Sequence, residues 1–342
     1  MTDPVERTVR TDRLAIRTWE RGDGEPILFV HGNLSSGSAW YEQLRFLSSG
    51  YRGIAPDLRG YGSTEPAPVD ATRGLRDWSD DLAALLEVED ISGCHVVGHS
   101  MGGGVAMQLA LDHPDRIRSL TLVSAMSPYG FGGTRPDGTP CASDYAGSGG
   151  GVANPDLVRR IDEGDRSDES EASPRRVVRD LFFPSPELVR EEDALVEAML
   201  AGRIGDDFYP GDSVESSYWP YVSPGKRGVL NAISPRYCDL SSFASQGPAV
   251  PIMWLHGAED RIIADGSLAD LGTLGQLGAV PGWPGEDEFP PQPMVSQLRA
   301  VLEAHPGPLS TVWREGVGHF PFVQEPDRFA ETLARHLDDA RE

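Results

Sequence analysis

Lysine is almost missing from this chain: Lys226 is the only one, every other basic residue is arginine, and the 342 residues carry a formal net charge of -23. With so little clustered positive charge, binding to nucleic acid or to an anionic membrane is not expected, because phosphate recognition needs a basic patch. Cysteine is scarce too. Cys94, Cys141 and Cys238 are widely spaced and odd in number, which suits reduced thiols better than a disulfide framework. No run approaches the roughly 20 apolar residues of a membrane span, and Met1-Thr2-Asp3-Pro4-Val5-Glu6 has no signal-peptide pattern, so a soluble, cytoplasmic protein is expected. No group of His, Cys, Asp and Glu has metal-ligand spacing, so neither a metal nor another cofactor is expected. The length suits one core with a lid better than two independent domains.

The most informative stretch is Val96-Val97-Gly98-His99-Ser100-Met101-Gly102-Gly103. A short apolar strand from Cys94 to Val97 runs into a serine between glycines, and Val105, Ala106, Leu109 and Ala110 follow at helical spacing. This reads as a nucleophile elbow, a tight strand-to-helix turn that pushes Ser100 Oγ out above a sheet. A nucleophilic serine needs a base, and the base needs an orienting acid. The strand Ser310-Thr311-Val312-Trp313 leads to Gly318-His319, which makes His319 the candidate base. The buried-type strand from Val250 to Gly257 leads to Glu259-Asp260, which makes Asp260 the candidate acid, with Glu259 its nearest competitor. An oxyanion site needs two backbone N–H groups aimed at developing negative charge. The strand Ile27 to Val30 ends in His31-Gly32-Asn33, so the N–H groups of Asn33 and Met101 are the candidates, and the Asn33 side chain is a further donor unless it caps a turn.

His31-Gly32-Asn33, Pro56-Asp57-Leu58-Arg59-Gly60-Tyr61-Gly62-Ser63, the Ser100 elbow, His256-Gly257-Ala258-Glu259-Asp260 and Gly318-His319 together resemble the α/β-hydrolase superfamily, in its serine, acid, histidine order, over residues 12–127 and 248–342. The stretch from His31 to Gly37 is also locally similar to N-acylhomoserine lactonases. The resemblance implies an α/β fold with a mostly parallel central sheet flanked by helices. It also argues against haloalkane dehalogenases and epoxide hydrolases, which carry aspartate where this chain has Ser100.

Residues 1–127 and 248–342 are expected to form the core and 128–247 an inserted cap or lid, since Gly, Pro and Ser crowd 128–151 and a charged stretch follows. Helical patterns return at Pro174 to Phe182 and Pro186 to Gly202. A second insertion follows Asp260, and Trp219, Trp283, Leu34 and Phe320 are candidates to line an apolar pocket; a tryptophan in a Pro/Gly-rich loop also serves to pin the loop. His31, His256, His99, Asp57 and Arg59 read as structural, and His113 as the residue ending the helix after Ser100.

The expected chemistry is cleavage of a small-molecule ester or lactone through an acyl-enzyme, with no partner but the substrate. A perhydrolase or haloperoxidase-like enzyme, a carbon–carbon bond hydrolase and a ligand receptor on a hydrolase fold stay open, as does the oligomeric state. The acidic, lysine-poor composition resembles that of proteins from salt-loving archaea, although a GC-rich genome also replaces lysine by arginine.

Overall fold

A computed structural model describes residues 3–341. Eight strands form one sheet: β1 (Val5–Arg10), β2 (Ala15–Arg21), β3 (Glu25–Val30), β4 (Tyr51–Pro56), β5 (Cys94–His99), β6 (Ile117–Val123), β7 (Ile252–Gly257) and β8 (Leu309–Arg314). Their spatial order is β1-β2-β4-β3-β5-β6-β7-β8. All pairings from β4 to β8 are parallel, while β2 runs antiparallel to both β1 and β4. This is the α/β-hydrolase fold with its mostly parallel sheet.

The central strands are near-continuous apolar runs because helices cover both sheet faces. All six residues of β5 and of β7 are buried. Towards the β1 edge the pattern becomes alternating, with Ile16, Thr18 and Glu20 of β2 turned inward. Glu20 is buried but not unpaired, since Arg7 and Arg52 reach it at 2.8 and 2.9 Å. Helix α1 (Tyr41–Phe46) packs against Pro326–Asp339, and α2 (Arg76–Val88) against α3 (Met101–Asp112). Helix α3 is buried from Met101 to Ala110, so it is apolar nearly all round and lies deep in the molecule.

The strand order reverses around β3, between β4 on one side and β5 on the other. Parallel α/β sheets bind ligands outside the carboxyl ends of the strands at such a switch point. Val30 pairs with Gly98 there, which brings the turns after β3 and β5 side by side.

Residues between β6 and β7 form a long insertion over these strand ends. It contains α4 (Pro155–Asp162), α5 (Pro174–Val177), a single π turn (Val178–Phe182) and α6 (Glu192–Leu200). The continuous helix expected over Pro186 to Gly202 is broken. A 3-10 turn spans Pro186–Leu188, and α6 begins only after Glu191, which takes a left-handed conformation at φ 51°. Arginine ion pairs hold this polar segment together: Arg166 with Glu197 at 2.5 Å, Arg160 with Asp165 at 2.6 Å, and Arg175 and Arg179 with Glu192. Among the described residues no helix is long and apolar enough to cross a membrane.

His31, His95, His99, His256 and His336 are buried, and burial holds each below the ordinary imidazole range, His31 to about 4. The unfolded chain takes up these protons near pH 6.5 and the folded one only well below it, so acid favours unfolding. His31 alone contributes about 3 kcal/mol that is fully present above pH 6.5 and lost by pH 4. The expected outcome is a thermal midpoint that is flat from pH 7 to 8 and falls steeply below 6.5. A scan that stays flat to pH 5 contradicts the neutral burial of these rings.

Candidate active site

Ser100 sits between β5 and α3 with φ 54° and ψ -120°, a strained conformation that costs about 1–3 kcal/mol and that its surroundings impose. Its N–H donates to the Val123 carbonyl at 3.0 Å, and its own carbonyl accepts the N–H groups of Gly103 at 2.9 Å and Met126 at 3.1 Å. Glycine is required at Gly102, where a Cβ would fall against the carbonyl oxygens of Val30 and His31, and at Gly32, where it would meet Ser100 Cβ at 2.9 Å. The elbow is therefore wedged between the β3 turn and the end of β6.

His319 lies on the loop after β8. Its Nδ1 is hydrogen-bonded to Asp260 Oδ2 at 2.8 Å, and its ring is buried. Asp260 Oδ1 accepts the N–H groups of Ile262 and Ile263 at 2.8 and 3.0 Å, which fixes the carboxylate in the turn after β7. Burial pushes the Asp260 carboxyl up, but the charge and hydrogen bond of His319 outweigh it, helped by His256 and the Ile262 N–H, and hold it below the usual carboxylate range. Glu259, its competitor in sequence, is exposed. The His319 backbone is held at two points: its N–H donates to Phe182 O at 2.9 Å, and its carbonyl oxygen bonds His99 Nε2 at 2.9 Å. Beneath it Phe320 stacks on Phe182 with centroids 4.6 Å apart, and Trp40 stacks on Phe322 at 3.9 Å.

Ser100 and His319 line one cavity of about 360 Å³ that Asn33, Leu34, Met101 and Phe320 also line. Met101 opens α3, where a backbone N–H has no carbonyl four residues back and the helix dipole is positive. On the other side, Leu34 takes a left-handed φ of 50°, which closes the turn after β3. Tyr61, fully buried, donates its hydroxyl to Asn33 Oδ1 at 2.6 Å while its oxygen takes the Leu34 N–H. That chain of bonds orients the Asn33 amide and leaves its Nδ2 as the remaining donor. Tyr61 was missed as a site residue; its Gly60-Tyr61-Gly62 setting is the signal that was available.

Trp219 and Trp283 do not line the cavity. Trp219 Nε1 donates to Pro281 O at 2.9 Å and its ring packs edge-on against Phe289; Trp283 Nε1 donates to Phe289 O at 2.8 Å. Both indoles find their partners in loop carbonyls: Trp219 pins the first insertion to the second, Trp283 pins the second insertion onto itself, and the cavity wall is left mostly to aliphatic chains. From the second insertion that wall takes Leu268, Leu271 and Leu274, and from the first Leu157, Leu181 and Phe182. Arg261 was also missed, although it directly follows Asp260. Its guanidinium donates to the carbonyl oxygens of Asp180 and Pro184, both at 2.8 Å, tying the acid turn to the first insertion.

The structural readings are clear for several polar residues. His31 Nε2 accepts the Leu58 N–H at 2.9 Å, and Asp57 accepts the N–H groups of Gly37 and Ser63, both at 2.8 Å. Arg59 pairs with Asp81 at 2.8 Å. His113 ends α3. Cys94, Cys141 and Cys238 have thiols that burial pushes up to about 12, 11 and 12, so none is activated as a nucleophile. Among the described residues no three His, Cys, Asp or Glu side chains are grouped to hold a metal.

A family model described as alpha/beta hydrolase fold matches residues 25–142. Over 106 residues the chain is 43% identical to a protein of Variovorax paradoxus (strain S110) named carbamate hydrolase RutD, a match covering 31% of this chain and 40% of that one. Over 127 residues it is 40% identical to a non-heme chloroperoxidase of Streptomyces lividans, covering 36% and 45%. The chain thus spans less than half the length of these two sequence relatives. The structure is similar to that of the esterase RhEst1 from Rhodococcus sp. ECU1013, with TM-score 0.60 at 21% identity, over 98% of this chain and 99% of that one.

Proposed function

From the α/β-hydrolase fold and the family-model match over residues 25–142, we propose that the chain is a serine hydrolase cleaving carboxylic ester or lactone bonds of a small apolar molecule. The observation that carries this reading is the buried Asp260–His319 hydrogen bond at the wall of the cavity into which the Ser100 elbow opens.

In this mechanism His319 takes the Ser100 proton through Nε2 as Oγ attacks the carbonyl carbon. Asp260 fixes the tautomer that leaves Nε2 free and stabilises the imidazolium. The N–H groups of Met101 and Asn33 receive the oxyanion, each worth about 3 to 4 kcal/mol in the transition state. His319 then returns its proton to the leaving alcohol. Water activated by the same imidazole attacks the acyl-enzyme, releasing the acid and Ser100. The Asp260–His319 hydrogen bond and the backbone bonds of Ser100 support this reading, because groups fixed in advance need little reorganisation during the reaction.

The test is a panel of p-nitrophenyl esters and lactones of graded chain length, in low and molar salt. Turnover with an initial burst equal to the enzyme concentration is the expected result, with chain length revealing how much acyl group the cavity admits. A gain in molar salt would support a salt-adapted protein. If folded protein leaves every ester and lactone intact but cleaves vinylogous diketones, carbon–carbon bond hydrolysis replaces this reading.

A further inference from the structure

Apart from the candidate catalytic residues, the cavity wall carries one side chain with a formal charge, Glu171, and no arginine or lysine. That absence of cations has a local cause. The arginines flanking Glu171 in the insertion are engaged by carboxylates: Arg166 by Glu197 at 2.5 Å, Arg175 by Asp193 at 2.8 Å, Arg176 by Asp180 at 3.0 Å, and Arg179 by Asp168 at 2.8 Å. Glu171 has no hydrogen-bonding or ion-pair partner among the described residues, and it is exposed to solvent while also lining the cavity. The same cavity wall carries Leu157, Ala172 and Val177, apolar surfaces of low dielectric that focus the field of a single charge.

An anionic substrate group brought into this cavity loses water and gains no counter-charge, a costly transfer. An ammonium group on an arm reaching Glu171 gains one. We propose that Glu171 sets the charge selectivity of the site: it takes uncharged carbonyl substrates, prefers those with an ammonium group on the arm that extends to Glu171, and rejects those with a carboxylate there. The assignment rests on the serine hydrolase reading of the same cavity.

The test is a charge series of nearly constant shape. Esters of one acid with 2-(trimethylammonio)ethanol and with 3,3-dimethylbutanol differ by one positive charge, a carboxylate-bearing alcohol supplies the negative member, and a matched series carries the same groups on the acyl arm. The kcat/KM ratio of cationic to neutral ester is measured for the unmodified protein, Glu171→Gln and Glu303→Gln. Glu303 is exposed on the helix Met294–Ala304 and does not line the cavity, so it controls for the overall field of a protein with net charge -23.

The ratio is expected to exceed one on at least one arm and to fall about threefold in Glu171→Gln but not in Glu303→Gln. It should approach one in molar salt, where screening acts within about 3 Å. The carboxylate ester should be the poorest of each series. A ratio unmoved by Glu171→Gln, or moved equally by Glu303→Gln, overturns the assignment while leaving the hydrolase reading intact. Failure of Ser100-dependent hydrolysis on the neutral ester removes both readings at once.

Discussion

Ser100→Ala is expected to lower kcat on any substrate of this protein by roughly 10⁴-fold or more while leaving the thermal midpoint nearly unchanged. The substitution removes one oxygen and keeps the Cβ that the elbow already accommodates at φ 54°. Whatever strain the turn stores, alanine stores as well. In the proposed mechanism the activity loss is large because Oγ forms the covalent intermediate. Nucleophile and base act as a unit, so Ser100→Ala combined with His319→Ala should be no slower than either alone. The residual rate of all three variants then measures what the cavity and the Met101 and Asn33 N–H groups achieve by binding and charge stabilisation. Independent, multiplying losses would mean that the two residues do not share a step, and a substantial rate in Ser100→Ala would place the nucleophile elsewhere.

Asp260→Asn is expected to cost about 10⁴-fold in kcat with KM little changed. The amide has nearly the same shape, and its oxygen still accepts the Ile262 and Ile263 N–H groups. Its NH₂ then faces His319 Nδ1, which must become the acceptor. The proton moves to Nε2, the nitrogen that has to receive the serine proton, and the base is blocked although it stands in place. Glu259→Gln is the informative comparison. Glu259 is exposed, one residue away and equally acidic, so its substitution should leave kcat within about twofold if only the oriented carboxylate matters. Stopped turnover in both variants would point to the turn as a whole, and loss in Glu259→Gln alone would reassign the acid.

What the sequence reveals of this site divides along a physical line. Gly98-His99-Ser100-Met101-Gly102, Glu259-Asp260 and Gly318-His319 are each decided by neighbours within a few residues: an apolar strand must end, the chain must turn sharply, and a polar side chain must stand at the turn. Such constraints leave local patterns. The parallel core is legible for a similar reason, since strands covered on both faces become apolar runs such as Cys94 to Val97 and Ile252 to Leu255. The cavity wall is not local. Leu157, Leu268 and Leu274 reach it from two insertions whose packing on one another no spacing rule encodes. Trp219 and Trp283 mislead because an indole in a Pro/Gly-rich loop serves equally to line a pocket or to anchor a loop, and the choice depends on whether a carbonyl lies within reach of Nε1. The break before α6 is similar, for nothing in Val189-Arg190-Glu191 forbids a helix by propensity.

The insertion is fastened to the catalytic loops by three hydrogen bonds: His319 N–H to Phe182 O, and the two from Arg261 to Asp180 O and Pro184 O. Any motion that raises residues 180–184 off the sheet breaks these bonds together, so it loosens the base loop and the acid turn in the same movement. The arrangement is an interlock. On the proposed mechanism the base and its acid keep their places only while this edge of the insertion is down, so a state with that edge raised would not turn over for as long as it stayed raised.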